Sequence, residues 1–88
     1  MEKTRIIMTE VISPICKYTK FTVKRSGRLV ASVDRRDGKY YIYAGEVIMN
    51  LQGTRTSKDS AIRFAQKCIL DFIEDAEFKW NVLTQTIK

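Results

Sequence analysis

Residues 57–74 read Ser-Lys-Asp-Ser-Ala-Ile-Arg-Phe-Ala-Gln-Lys-Cys-Ile-Leu-Asp-Phe-Ile-Glu, with apolar members at Ala61, Ile62, Ala65, Cys68, Ile69, Phe72 and Ile73. This is the i, i+3, i+4, i+7 spacing of a single apolar stripe on an α-helix. Thr56 or Ser57 supplies the N-cap, because either hydroxyl accepts from an orphan backbone N–H of the first turn. No glycine or proline interrupts the run. The spacing predicts one long helix over 57–75, and its stripe needs an apolar sheet face to cover.

That sheet is found by moving toward the N-terminus. From 18 to 52 the pattern alternates in the two-residue period of strands, and the turn residues set the register. A three-residue connection with Gly27 in the left-handed position pairs Val23 with Leu29 and Phe21 with Ala31. Asp37-Gly38 is a two-residue hairpin signal, because both central positions need positive φ, and it pairs Val33 with Ile42, Ala31 with Ala44 and Asp34 with Tyr41. Gly45-Glu46 fits a type II′ turn and pairs Ala44 with Val47, Ile42 with Met49 and Tyr40 with Leu51. The three turns agree on one apolar face: Phe21, Val23, Leu29, Ala31, Val33, Tyr40, Ile42, Ala44, Val47, Met49 and Leu51. The expected fold is α+β, a four-stranded antiparallel β-meander with one amphipathic helix on one face.

The ends extend this unit. Residues 5–13 are rich in β-branched side chains and stop at Ser13-Pro14, which predicts an extended N-terminal segment within 1–17. Beyond the helix, 77–88 alternates again, with Phe78, Trp80 and Val82 on one side, and reads as a last strand beside the N-terminal one. Eighty-eight residues make a single domain.

The same register sends Lys20, Thr22, Lys24, Arg28, Val30, Ser32, Asp34, Arg36, Lys39, Tyr41, Tyr43, Ile48, Asn50 and Gln52 to the other face. The net charge of +6 lies in the first half: residues 1–43 hold ten Lys/Arg and four Asp/Glu, and residues 44–88 hold six of each. Lys20, Lys24, Arg28, Arg36 and Lys39 would neutralise phosphates and release counterions. Tyr41 and Tyr43 would stack on bases or contact base edges. A regulatory protein that binds DNA or RNA is the first expectation. The second is a binding module or inhibitor, a small phage-type regulator that holds a partner protein through Tyr41, Tyr43, Ile48, Asn50 and Arg28. Strand edges left exposed by such a sheet would also allow a homodimer. A wet sheet face rich in Tyr, Thr and Lys also arises for structural reasons alone, since these residues favour strands.

The strand-to-helix junction Leu51-Gln52-Gly53-Thr54-Arg55-Thr56-Ser57-Lys58-Asp59-Ser60-Ala61-Ile62-Arg63-Phe64-Ala65 resembles that of the ethylene-response-factor type DNA-binding domain and of the integrase arm-binding domain. Leu51, Gly53-Thr54, Thr56, Ala61 and Phe64 carry the likeness; Gln52 is an extra residue, and the strands have no counterpart of that family's Arg and Trp pattern. The resemblance implies a meander plus one helix that lays its free sheet face in the major groove. Ser57-Lys58 and Ala61 are also similar to the entry of the last helix of double-stranded-RNA-binding domains, although Asp59 replaces the second lysine and no first helix precedes the strands.

The inventory of reactive groups points away from catalysis. There is no histidine, so no His-based acid–base pair, triad or zinc site can form. Asp71, Glu74, Asp75 and Glu77 cluster where the helix should end and read as a solvated helix terminus. No cofactor, no metal and no enzymatic activity are expected. Cys16 and Cys68 read as reduced packing residues. The absence of a secretory signal or an apolar run of membrane-spanning length makes a cytoplasmic location the expectation, with no membrane partner.

Overall fold

The computed structural model describes residues 3–12 and 17–81, together with the backbone of 85–86. The elements are β1 (Thr4–Ile12), β2 (Lys17–Val23), β3 (Leu29–Arg36), β4 (Lys39–Ala44), β5 (Asn50–Arg55), α1 (Lys58–Leu70), β6 (Ala76–Trp80) and β7 (Gln85–Thr86). The architecture is α+β, but the sheet is larger than a four-stranded meander, and it is mixed. Its order is β5-β4-β3-β2-β1-β6, with β7 also on β1. The β1–β5 pairs are antiparallel, whereas β6 and β7 run parallel to β1. The expected neighbourhood of the N-terminal strand and the tail is present at Thr4–Met8 with Ala76–Trp80. Ser13-Pro14, Cys16 and Val82 lie outside the described residues.

Antiparallel alternation makes β1, β3, β5 and the parallel β6 point the same way, so α1, which links β5 to β6, must run back across the sheet. Ser57 caps it, its Oγ accepting from Ser60 N at 3.2 Å. α1 is shorter than the 57–75 expectation. Its apolar stripe does continue, and Phe72 and Ile73 still pack on the core. The chain must turn there, however, because Thr4 fixes the start of β6: its N and Oγ1 donate to the carbonyl and carboxylate of Asp75 at 3.2 and 3.0 Å. Asp71, Glu74 and Asp75 would also oppose the helix dipole in a longer helix.

Between sheet and helix lie Ile6, Met8, Phe21, Val30, Ala31, Val33, Ile42, Ala44, Ala61, Ile62, Ala65 and Ile69, all buried. Ala31 and Ala44 on the sheet and Ala61 and Ala65 on the helix are all buried in this core, small residues that leave room for a close helix–sheet approach. Fully burying each larger aliphatic or Phe side chain contributes about 1.5–3 kcal/mol. Phe21 meets Phe78 edge to face at 6.4 Å and 84°.

The Asp37-Gly38 turn has positive φ at both residues (53° and 75°), and the three pairs it predicts are present. The other two connections differ. Gly27 is left-handed at φ 73° and Phe21 pairs with Ala31, but a bulge follows, so that Leu29 lies opposite Thr22 instead of Val23. Leu29 is therefore exposed, and Val30, expected outside, is buried beside Ala31.

The Gly45-Glu46 turn is absent. Residues 45–49 form a longer loop, and pairing resumes at Ala44 with Asn50, Tyr43 with Leu51 and Ile42 with Gly53. Val47 is 91% exposed and Leu51 54%, which removes both from the expected buried face; Ile48, expected on the other face, is 68% exposed in the loop. One reason lies within the loop and the other in the helix. A Cβ on Gly45 would sit 1.8 Å from the carbonyl oxygen of Ile48, so this glycine serves a close backbone approach. At Gly53 a Cβ would lie 3.0 Å from the Phe64 ring, so the helix supplies the side chain over that part of β5. Gln52 is the extra residue of a second bulge, and its Nε2 donates to the Ala44 and Asn50 carbonyls at 3.1 and 3.2 Å. A short, bulged edge strand resists pairing with another chain.

Candidate nucleic-acid interface

Cross-strand partners in a sheet share a face, so the register assigns every expected contact. Lys20, Ser32, Tyr43 and Leu51 form one row across β2–β5 on the face away from α1, and Tyr18, Asp34, Tyr41 and Thr54 form the next. Arg36 and Lys39 close this face beside the 37–38 turn. Tyr41 and Tyr43 are half-buried there and stand outside the core, as expected. Toward β1 the face is covered: Thr9 and Val11 are buried, and Asn81 Nδ2 donates to Thr9 Oγ1 at 3.4 Å.

Four of the expected contacts leave the group. Lys24 and Arg28 lie in the β2–β3 connection, at the far end of β3 from Arg36. Seven residue steps of ~3.3 Å separate the ends of β3 by roughly 23 Å. Ile48 belongs to the 45–49 loop, and Asn50 pairs with Ala44, which puts it on the helix side. Both follow from the missing Gly45-Glu46 turn, and Lys24 and Arg28 separate because β2 ends at Val23 and β3 begins at Leu29.

The residues that remain are organised around Arg36. Its guanidinium carbon lies 4.3 Å from the Tyr41 ring centroid, and its Nη2 donates to Tyr43 Oη. One face of Tyr41 is thus already occupied, and the plane offered to a base there is the guanidinium itself.

A second set of cations lies around the same end. On the helix side, Lys17, Arg35, Tyr40 and Arg55 form one row across four strands, and α1 begins beside it at Lys58. Arg35 lies 6.0 Å from the Tyr40 ring and Arg55 4.1 Å from that of Phe64. Lys58 Nζ meets Glu10 Oε1 at 2.6 Å. Among the described residues no carboxylate pairs with Lys17, Arg35, Arg36, Lys39 or Arg55. Two like-charged pairs face each other directly, Lys17 with Arg35 and Arg36 with Lys39. Such pairs weaken a sheet. Tyr18, Lys17 and Arg35 were accessible to sequence reasoning: Tyr18 precedes Lys20 by two positions, and Arg35 continues the Ala31, Val33 parity to where the apolar stripe ends. Arg55 and Lys58 needed the position of α1.

The opposite end holds the acidic Asp71, Glu74 and Asp75, together with a cleft of about 420 Å³ lined in part by Val47, Ile48, Cys68 and Phe72. Cys68 is a free thiol, and burial, aided by the Asp71 carboxylate, pushes its pKa up. No group of three or more potential metal ligands and no helix long and apolar enough to cross a membrane occurs among the described residues.

No family model, curated protein or solved structure matches the chain.

Proposed function

We propose that the protein is a small, noncatalytic regulatory protein that binds a nucleic-acid strand around the 37–38 turn end of its sheet. Arg36, Lys39 and Lys20 hold phosphates on the open face, and Lys17, Arg35 and Arg55 continue the cationic surface over the strand ends. Bases stack on Arg36 and the exposed parts of Tyr43 and Tyr18. The observation that carries this reading is the pair of like-charged cross-strand contacts, Lys17–Arg35 and Arg36–Lys39, at adjacent positions of β3. Each costs stability in the free protein and is relieved when an anion lies between the cations.

The reading is tested by fluorescence anisotropy with single-stranded and duplex oligonucleotides at low salt. Engagement of about five phosphates gives a log–log salt slope near −3.5 on a single strand. Absence of binding to both probes at low salt overturns it.

A partner protein is the second reading. It is favoured by Val47 and Ile48, aliphatic side chains held in solvent at the other end of the molecule. Aspartate at both positions would abolish such a contact and leave oligonucleotide binding intact.

A further inference from the structure

At the cationic end, on the helix side of the sheet, a groove of about 160 Å³ is lined by Glu10, Lys17, Thr19, Arg35, Tyr40 and Lys58, among others. We propose that it takes the terminal phosphate monoester of a nucleic-acid strand. The inference rests on the reading of this end as a nucleic-acid interface and adds to it a preference for phosphorylated ends.

Three observations converge on that ligand. First, the groove is about half the ~300 Å³ at which small-molecule pockets begin. It has room for a phosphate group and not for a nucleotide. Second, its charge is matched to a dianion. Lys17, Arg35 and Lys58 contribute three positive charges, and Glu10, held by Lys58 at 2.6 Å, removes one. A phosphodiester inside a strand carries one negative charge and two chain continuations. A terminal monoester carries up to two charges, its second pKa near ~6, and only one continuation. Third, Lys17 and Arg35, the two groove cations that pair with no carboxylate among the described residues, are directly opposed across β2 and β3. An anion between them turns a repulsive contact into two charge-assisted hydrogen bonds.

The ion pair also fixes a direction for perturbation. Glu10 repels the ligand and withholds Lys58 from it, so Glu10→Gln raises the positive charge of the groove and frees the lysine.

The probes are two single-stranded oligonucleotides of the same sequence, about 12 nucleotides long to fit one small binding fold. One carries phosphate at both ends and the other hydroxyls. Anisotropy should show the phosphorylated strand binding about tenfold more tightly, the effect of one added charge-assisted contact. The preference should shrink as pH falls from about 7.5 to about 5.5 and the monoester loses its second charge. Lys17→Gln and Arg35→Gln should each remove the preference, Glu10→Gln should enlarge it, and Lys20→Gln should weaken both strands equally. Thermal melts of each variant report folding, and the Glu10→Gln gain is a result that an unfolded variant cannot give. Equal binding of the two strands overturns the groove assignment and leaves the nucleic-acid reading standing. A preference that survives in both Lys17→Gln and Arg35→Gln also overturns the assignment. Failure of both strands to bind at low salt overturns the groove assignment, and the nucleic-acid reading falls with it when the duplex fails as well.

Discussion

Replacing Lys39 with glutamine should stabilise the protein while weakening its hold on nucleic acid. Lys39 is the cross-strand partner of Arg36, which is itself held over Tyr41 and against Tyr43. Arg36 therefore has little freedom to swing away from the lysine. Cross-strand pair interactions are worth about 0.2–1 kcal/mol, and solvent screening of two exposed cations favours the lower part of that range. A gain of ~0.3 kcal/mol corresponds to a rise of about 1–2 °C in Tm for a domain of this size. The rise should be largest at low ionic strength and fade as salt increases. For binding, losing one phosphate contact reduces the salt slope by ~0.7 on a single strand, equivalent to about fivefold in affinity at 0.1 M salt. Lys39→Glu should enlarge both effects, since it gives Arg36 a carboxylate partner. Calorimetric melts over a salt series and anisotropy on the same samples check the two halves. A lower Tm for Lys39→Gln at low salt refutes the repulsion. An unchanged salt slope in a variant that still binds refutes the role of Lys39 at the interface.

Gly45→Ala should destabilise the fold by about 1–3 kcal/mol, the usual cost of forcing atoms into filled space. The new Cβ would meet the Ile48 carbonyl at 1.8 Å, and a urea midpoint equal to that of the wild type would show that the 45–49 loop yields freely. Cys68 should alkylate with iodoacetamide only at higher pH than a free small thiol, because its raised pKa keeps it protonated as pH climbs. Peptide mass mapping reads Cys68 separately from Cys16, and reaction of Cys68 at neutral pH as fast as a free thiol would contradict the burial.

The helix stripe, its Ser57 cap, the Asp37-Gly38 hairpin and the alternation of β4 and of β3 from Ala31 onward were legible in the chain. Each depends on contacts a few residues apart: the 3.6-residue period, a hydroxyl reaching the first-turn N–H, and two adjacent positive φ angles. Tyr41, Tyr43, Arg36, Lys39 and Lys20 were assigned to the open face for the same reason, since hairpin register transmits face identity along each strand. Other features were decided by the path of the 45–49 loop, by a bulge, and by a helix that follows in the chain. Phe64 occupies the space over Gly53, the Ile48 carbonyl presses on Gly45, and Val30 turns inward at a bulge. Together these expose Val47 and Leu51, carry Ile48 from a strand into the loop, and put Asn50 on the helix side. The alternation at Phe78 and Trp80 also placed a last strand beside β1, but tertiary structure decided that it runs parallel, and set Lys17, Arg35, Arg55 and Lys58 around one end of the sheet. A local pattern specifies which way a side chain points, but packing against a helix that arrives later in the chain determines which neighbours it meets.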